Sequence, residues 1–262
     1  MDYKLNSYEP YYRVLFVPIS LVVLLFIISC QKSNGPALRH DYEPPNPFKT
    51  LTSSQKTTAS YFLDIALGLE YGDAPAVTRK WKRNMKLYVA GRPSAELKKE
   101  LHSIIKELNK LTSESNFSIS VTADSSQSNA LVFFGSQDTF GHLVPEAKDE
   151  LQNNYGLFYI WWNSKQQIYR MAMYVDMYRT KSERARKHLL REELTQSLGL
   201  PKDSPKYFNS IFQSSYKSKV TSYSALDKNL IKLLYQPEME ADLTKKQTEK
   251  RLVKIIRDVV PD

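Results

Sequence analysis

The pattern of apolar and polar positions is sharpest between Thr180 and Ser204, TKSERARKHLLREELTQSLGLPKDS. At about 100° per residue, Leu190, Leu194 and Leu198 fall on one face, four residues apart, and predict a helix buried along that side. Ser182 stands in the N-cap position, no proline intervenes before Pro201, and Gly199 stands where the helix should end. Nearly opposite the leucines, His188, Glu192 and Gln196 form a second i, i+4 row with Glu193 at its flank. Any chemistry of this helix belongs to that polar stripe.

The same reading orders the rest of the chain. Apolar positions 61, 62, 65, 66 and 69 predict a helix over Thr57–Tyr71, ending at Gly72. Alternation over Trp81–Ala90 predicts a strand that stops at Gly91-Arg92-Pro93. Ser94 then caps a helix Ala95–Leu111, whose Leu97, Leu101, Ile104, Ile105 and Leu108 face a core. Phe117–Thr122 and Ala130–Phe134 are short strands, and Gly135–Asn154 is a long loop holding His142, Glu146 and Glu150, of a size that serves function or covers a sheet edge. Gly156–Trp162 and Gln167–Asp176 form an antiparallel pair feeding the central helix. After it come an apolar clip, Asn209–Phe212, a helix from Tyr223 to Leu234 closed by Pro237, and a charged tail, Lys245–Val259, open to a helical reading. These elements predict an α+β fold in which a mixed sheet packs on the long helix, with one helix before the sheet strands and another after the turn.

The N-terminus has a different character. Lys4 and Arg13 precede the apolar run Val14–Ile28, and Ser29-Cys30 closes it, the order of a secretory signal peptide with a lipidation site. Cys30 is the single cysteine, which excludes an intrachain disulfide or a cysteine-ligated metal site. Acyl chains on Cys30 at ~0.8 kcal/mol per buried CH₂ would anchor the protein to a membrane. Pro36, Pro44, Pro45 and Pro47 make the following stretch an extended tether. The expected layout is therefore signal 1–29, lipidated tether 30–55, domain 56–237 and tail 238–262, in the cell envelope on the periplasmic or surface side. The net charge of +9 changes this little, because the lysines are dispersed and read as a solvated surface. No nucleic-acid partner and no cofactor are expected.

The stretch Glu192–Asp203 fits the frame of the zinc-protease helix, His-Glu-x-x-His-x-x-Gly-x-x-His/Asp. Glu193 holds the place of the general base and Gly199 that of the turn, but Glu192 and Gln196 replace the helix histidines, and Lys202 or Asp203 takes the third ligand position. The element order resembles the metzincin catalytic domain, with Ser210-Ile211-Phe212 similar to its methionine turn and Phe212 in the methionine's place. A closer resemblance is to the bacterial family known as domain of unknown function 2927, through Arg191–Leu200, Asp203-Ser204, Asn209–Phe212 and Leu226-Asp227 to Leu234-Tyr235. That resemblance spans roughly Lys80–Pro237. It implies a metzincin-like scaffold with a different polar centre and supplies no reaction.

Three functions follow from the residues. The first is a binding or scaffold protein for an envelope peptide or glycan, its zinc site gone and no metal held. The second is a hydrolase in which Glu192, Glu193 and Asp203 raise one another's pKa and act as acid and base while Gln196 orients a water or the substrate. The third adds an oxygen-ligated calcium or manganese held by Glu192, Gln196 and Asp203, with His188, otherwise a surface group, able to add a nitrogen.

Overall fold

Lys80–Trp81 (β1), Met85–Gly91 (β2), Ile119–Thr122 (β3), Ala130–Gly135 (β4), Gly156–Trp162 (β5) and Gln167–Asp176 (β6) form one mixed sheet. The computed structural model describes residues 46–215 and 220–261, so the signal segment, Cys30 and most of the tether lie outside the described residues. The strand order is β1-β6-β4-β2-β3, all parallel, with β5 added antiparallel to β6. Parallel neighbours need a crossover, and Ala95–Leu111 (α2) supplies it between β2 and β3, burying the five apolar positions expected of it. β4 runs between β2 and β6 and is apolar along its whole length, as a strand covered on both faces should be. β5 pairs with β6 alone and is an edge strand among the described residues. Beside it lies Glu183–Gln196 (α4), whose Leu190 and Leu194 are fully buried, as is Leu198 just beyond it.

The α+β class and its mixed sheet against the long helix are as expected; several boundaries are not. The first helix (α1) runs Ser53–Ala66, not Thr57–Tyr71, because Thr52 and Gln55 form a reciprocal capping box upstream and Leu67 turns extended. The single strand read over Trp81–Ala90 is two, since β1 pairs with β6 whereas β2 pairs with β3 and β4. Gly135–Asn154 is not a bare loop. It holds Gln137–Leu143 (α3) and a 3₁₀ turn at Pro145–Ala147, and buries Phe140, Val144, Ala147 and Leu151 in a small second core with Phe133, Leu157 and Tyr174.

The domain also extends past both expected ends. Ala225–Tyr235 (α5) and Lys245–Val259 (α6) pack on one another and on α1, and Leu252, Ile255, Ile256 and Val259 of α6 are buried. The charges that made α6 read as a tail lie on its outer face. At the other end Leu51 is buried and Gln55 donates to the Val260 carbonyl at 3.0 Å, tying the end of the expected tether to the end of the chain. No described helix is long and apolar enough to cross a membrane.

Candidate functional site

Much of the polar frame on α4 is spent on holding the helix in place. Ser182 accepts from the Ala185 N–H as N-cap. Arg191 donates to Glu107 at 2.8 Å and Glu100 at 2.9 Å on α2, and its guanidinium lies 4.6 Å from the ring centre of Tyr223. Thr195 meets the Tyr223 hydroxyl at 2.6 Å. At the other end Trp81 donates to the Ser197 carbonyl and Tyr235 to that of Leu198, each at 3.0 Å, so the last carbonyls of the helix are satisfied in the core.

The chain then turns at Gly199 with φ +115, and a Cβ there would stand 1.9 Å from the Arg79 carbonyl oxygen. Past the turn, the Ser204 N–H donates to the Phe212 carbonyl at 2.8 Å. The 209–212 clip is fixed in turn by buried Asp227, which accepts from Ser210 Oγ at 2.6 Å, Ile211 N at 3.1 Å and Ser224 N at 2.8 Å. Phe212, in the place expected of a methionine, is simply buried core. The product of this bracing is the position of Asp203, whose Oδ1 accepts from Gln196 Nε2 at 2.6 Å.

Glu192, Glu193, Gln196 and Asp203 together line a cavity of ≈ 190 Å³ between α4 and β5. Both glutamates are only 7% exposed. Glu193 accepts the Phe158 N–H of β5, yet burial, then the charges of Asp203 and Glu70, push its carboxyl well above the usual range. Glu192 is pushed up likewise by burial first and by Asp203 and Glu193 after. Asp203 rises to about 7, burial and Glu70 outweighing the Gln196 hydrogen bond.

His188 is not a surface group. It is buried; Nδ1 donates to the Val220 carbonyl at 2.7 Å and Nε2 stands 3.3 Å from Glu192 Oε2. A neutral ring with its proton on Nδ1 presents a bare lone pair at Nε2, so this contact needs one proton between ring and carboxyl. Burial lowers the histidine and raises the glutamate, and the proton rests on Glu192. Two further residues line the cavity without having been signalled by the sequence, Glu70 and Thr180. Glu70 read as the last turn of a helix over Thr57–Tyr71, whereas α1 ends at Ala66, and Thr180 read only as the approach to a helix.

A second hollow of ≈ 320 Å³ adjoins the first, sharing Glu70, Tyr71, Leu157 and Phe158. Glu146 and Glu150 from the region expected to be a loop line it with Asp73; His142 does not, and its Nδ1 bonds the Asp138 carbonyl instead.

The donor set does not fit zinc. Carboxylate and amide stand where imidazoles would be needed, and among the described residues no three His, Cys, Asp or Glu side chains are placed to hold a metal ion. The oxygen-ligated alternative meets the same obstacle, because Gln196 is committed to Asp203 and Glu192 to His188.

The raised carboxyls have a measurable consequence. Between about pH 4 and 7 the folded chain keeps a proton on Asp203 that the unfolded chain, at the ordinary 3.8, has released. Stability therefore falls as pH rises, by at most about 1.4 kcal/mol per pH unit for each such proton. Glu192 and Glu193 act in the same sense, while His188, lowered from 6.5, opposes them on the acid side. Asp203→Asn is expected to flatten the curve of urea midpoint against pH over this window. A difference between the two proteins that does not change with pH would mean that Asp203 titrates like an exposed carboxylate.

Comparison with known proteins was informative at one level. The family described as "Protein of unknown function (DUF2927)" matches residues 55–254, reaching from α1 into α6 and so beyond the Lys80–Pro237 span expected from the motifs. No curated protein matches the chain significantly. Among solved structures, that of myroilysin is similar at 12% identity, covering 60% of this chain and 95% of that one with a TM-score of 0.35.

Proposed function

We propose that this chain, which belongs to the DUF2927 family, is a ligand-binding protein of the cell envelope that holds an extended peptide or glycan in the cleft between α4 and β5. One observation carries the reading. The two hollows share Glu70, Tyr71, Leu157 and Phe158 and are both lined by β5, a strand paired on one edge only among the described residues, so that we read them as one groove. Its seven residues extend over roughly 23 Å, enough for several residues or sugar rings of a ligand. Tyr71 and Tyr155, 41% and 49% exposed, stand at the groove as aromatic contacts for such a chain, the Tyr155 ring backed by the Arg179 guanidinium at 4.7 Å. Anchoring through Cys30 would present the groove to the envelope space.

The test is binding by the full-length chain in detergent, titrated with extended peptides and with envelope glycans and followed by amide chemical shifts. Saturable shifts confined to β5 and the α4 face are expected, weakened about tenfold by Tyr155→Ala. Absence of such shifts with both ligand classes would overturn the reading.

A hydrolase is the second reading, favoured by the three clustered carboxyls whose pKa values burial and mutual repulsion carry upward, with Asp203 near 7. It requires turnover of whatever binds, lost by a factor of about 10² or more in Glu193→Gln at saturating ligand. Binding without turnover leaves the first reading alone.

A further inference from the structure

We infer that the groove recognises its ligand by a cationic group, an ammonium or guanidinium, seated at the inner end among Glu193, Asp203 and Thr180. This rests on the binding function proposed above and names the chemistry of the ligand. The chain carries 37 Lys and Arg against 28 Asp and Glu, so an average surface should show more positive than negative groups. The groove reverses this. Its two hollows are lined by seven carboxylic residues, Asp73, Glu146 and Glu150 outside, Glu192, Glu193 and Asp203 inside and Glu70 between, and by no lysine or arginine. The single basic side chain in the lining is His188, which burial keeps neutral and which is already bonded to Val220 and Glu192.

A second observation is independent of the charges. Thr180, 5% exposed, lines the inner hollow, and its Oγ1 is buried with no hydrogen-bond partner among the described residues. A buried hydroxyl without a partner is uncommon and costly. In the outer hollow Glu150 Oε2 is likewise buried and unpartnered. A hydroxyl and a set of carboxyls that give up their protons beside an incoming cation together form a field of acceptors. The groups that match it are those that only donate, the ammonium with three N–H bonds and the guanidinium with five. Leu157, Phe158 and Leu189 on the walls suit the methylene stem that carries such a group. A bare metal ion fits less well, since among the described residues no three His, Cys, Asp or Glu side chains are placed to hold one. The same carboxyls, which burial and proximity keep protonated in the free protein, would ionise beside the cation, which makes the recognition selective as well as attractive.

The full-length chain in detergent is titrated with two extended peptides that differ in one residue, lysine or Nε-acetyl-lysine, and separately with 1,5-diaminopentane. The lysine peptide is expected to bind at least tenfold more tightly than its acetylated twin. Glu193→Gln and the more exposed Asp203→Asn should bring that ratio towards one, and Thr180→Val should lower it a few-fold without altering charge. Equal affinity for the two peptides would overturn the inference and leave the groove as a binding site. Diamine binding as tight as that of the lysine peptide would keep the cationic group and identify a small amine, rather than an extended chain, as its source. Failure of all three probes would overturn the inference, and failure of the envelope glycans as well would overturn the binding function it rests on.

Discussion

Arg191→Ala is expected to lower the stability of the domain by about 3 kcal/mol, seen as a shift of the urea midpoint at unchanged slope. The side chain is 4% exposed and forms the core of a charged seam between α4 and α2, with Glu100 and Glu107 as its acceptors and the Tyr223 ring as its floor. Removing it leaves two carboxylates facing each other across a gap. Glu100 and Glu107 remain 17% and 30% exposed on their side chains, so water recovers part of the loss, and the lower end of the range for broken buried pairs is the appropriate one. Lys228, 3.4 Å from Glu107, would take over some of the neutralisation. The remainder is packing, because the guanidinium covers Tyr223, whose hydroxyl in turn satisfies Thr195. Arg191→Met, which keeps the stem and loses the charge, should cost about half as much if packing and pairing contribute comparably. A loss below about 1 kcal/mol in the alanine variant would show that the seam behaves as a surface ion pair.

The place of Arg191 shows where the sequence was readable and where it was not. The spacing of Leu190, Leu194 and Leu198 identified the inner face of α4, and the stripe Glu192, Gln196 with Glu193 and Asp203 identified the residues that meet at the cavity. Periodicity records which side chains prefer a core, and for the leucines that was sufficient. It does not record what packs on the opposite face. There β5 and the 209–215 segment close over the polar stripe, so that His188, Glu192 and Glu193, which a helical wheel places in solvent, are more than nine-tenths buried. Glu70 and Thr180 reach the cavity only through strand order and chain return, which a local pattern cannot encode. The short β1 escaped for a related reason: its two residues continue the alternation of β2, and only their pairing with β6 separates them. For α6 the dense charge obscured a core stripe, Leu252, Ile255, Ile256 and Val259, that has the ordinary helical spacing.

Gly199→Ala is expected to be severely damaging, with a loss on the order of 4 kcal/mol or more, or failure to accumulate as folded protein. Two costs combine. A left-handed φ of +115 strains any residue with a Cβ, worth about 1 kcal/mol at an otherwise open position. The added methyl would also lie 1.9 Å from the Arg79 carbonyl oxygen and 2.8 Å from its carbon, both backbone atoms with no rotamer to change. Relief would require Arg79 to move, and Arg79 leads directly into β1, whose Trp81 holds the last turn of α4 through Ser197. The strain would therefore pass to the helix end that the turn serves. Gly72→Ala separates the two terms, since Gly72 has φ +80 but no atom within 4 Å of the added carbon. That variant should lose only about 1 kcal/mol. Equal losses in the two would mean that backbone strain, not the close approach of Arg79, sets the requirement for glycine. A Gly199 variant that still folds should show Asp203 titrating at a more ordinary carboxylate pKa, because the return of the chain after Gly199 brings Asp203 to Gln196 and to the buried end of the groove.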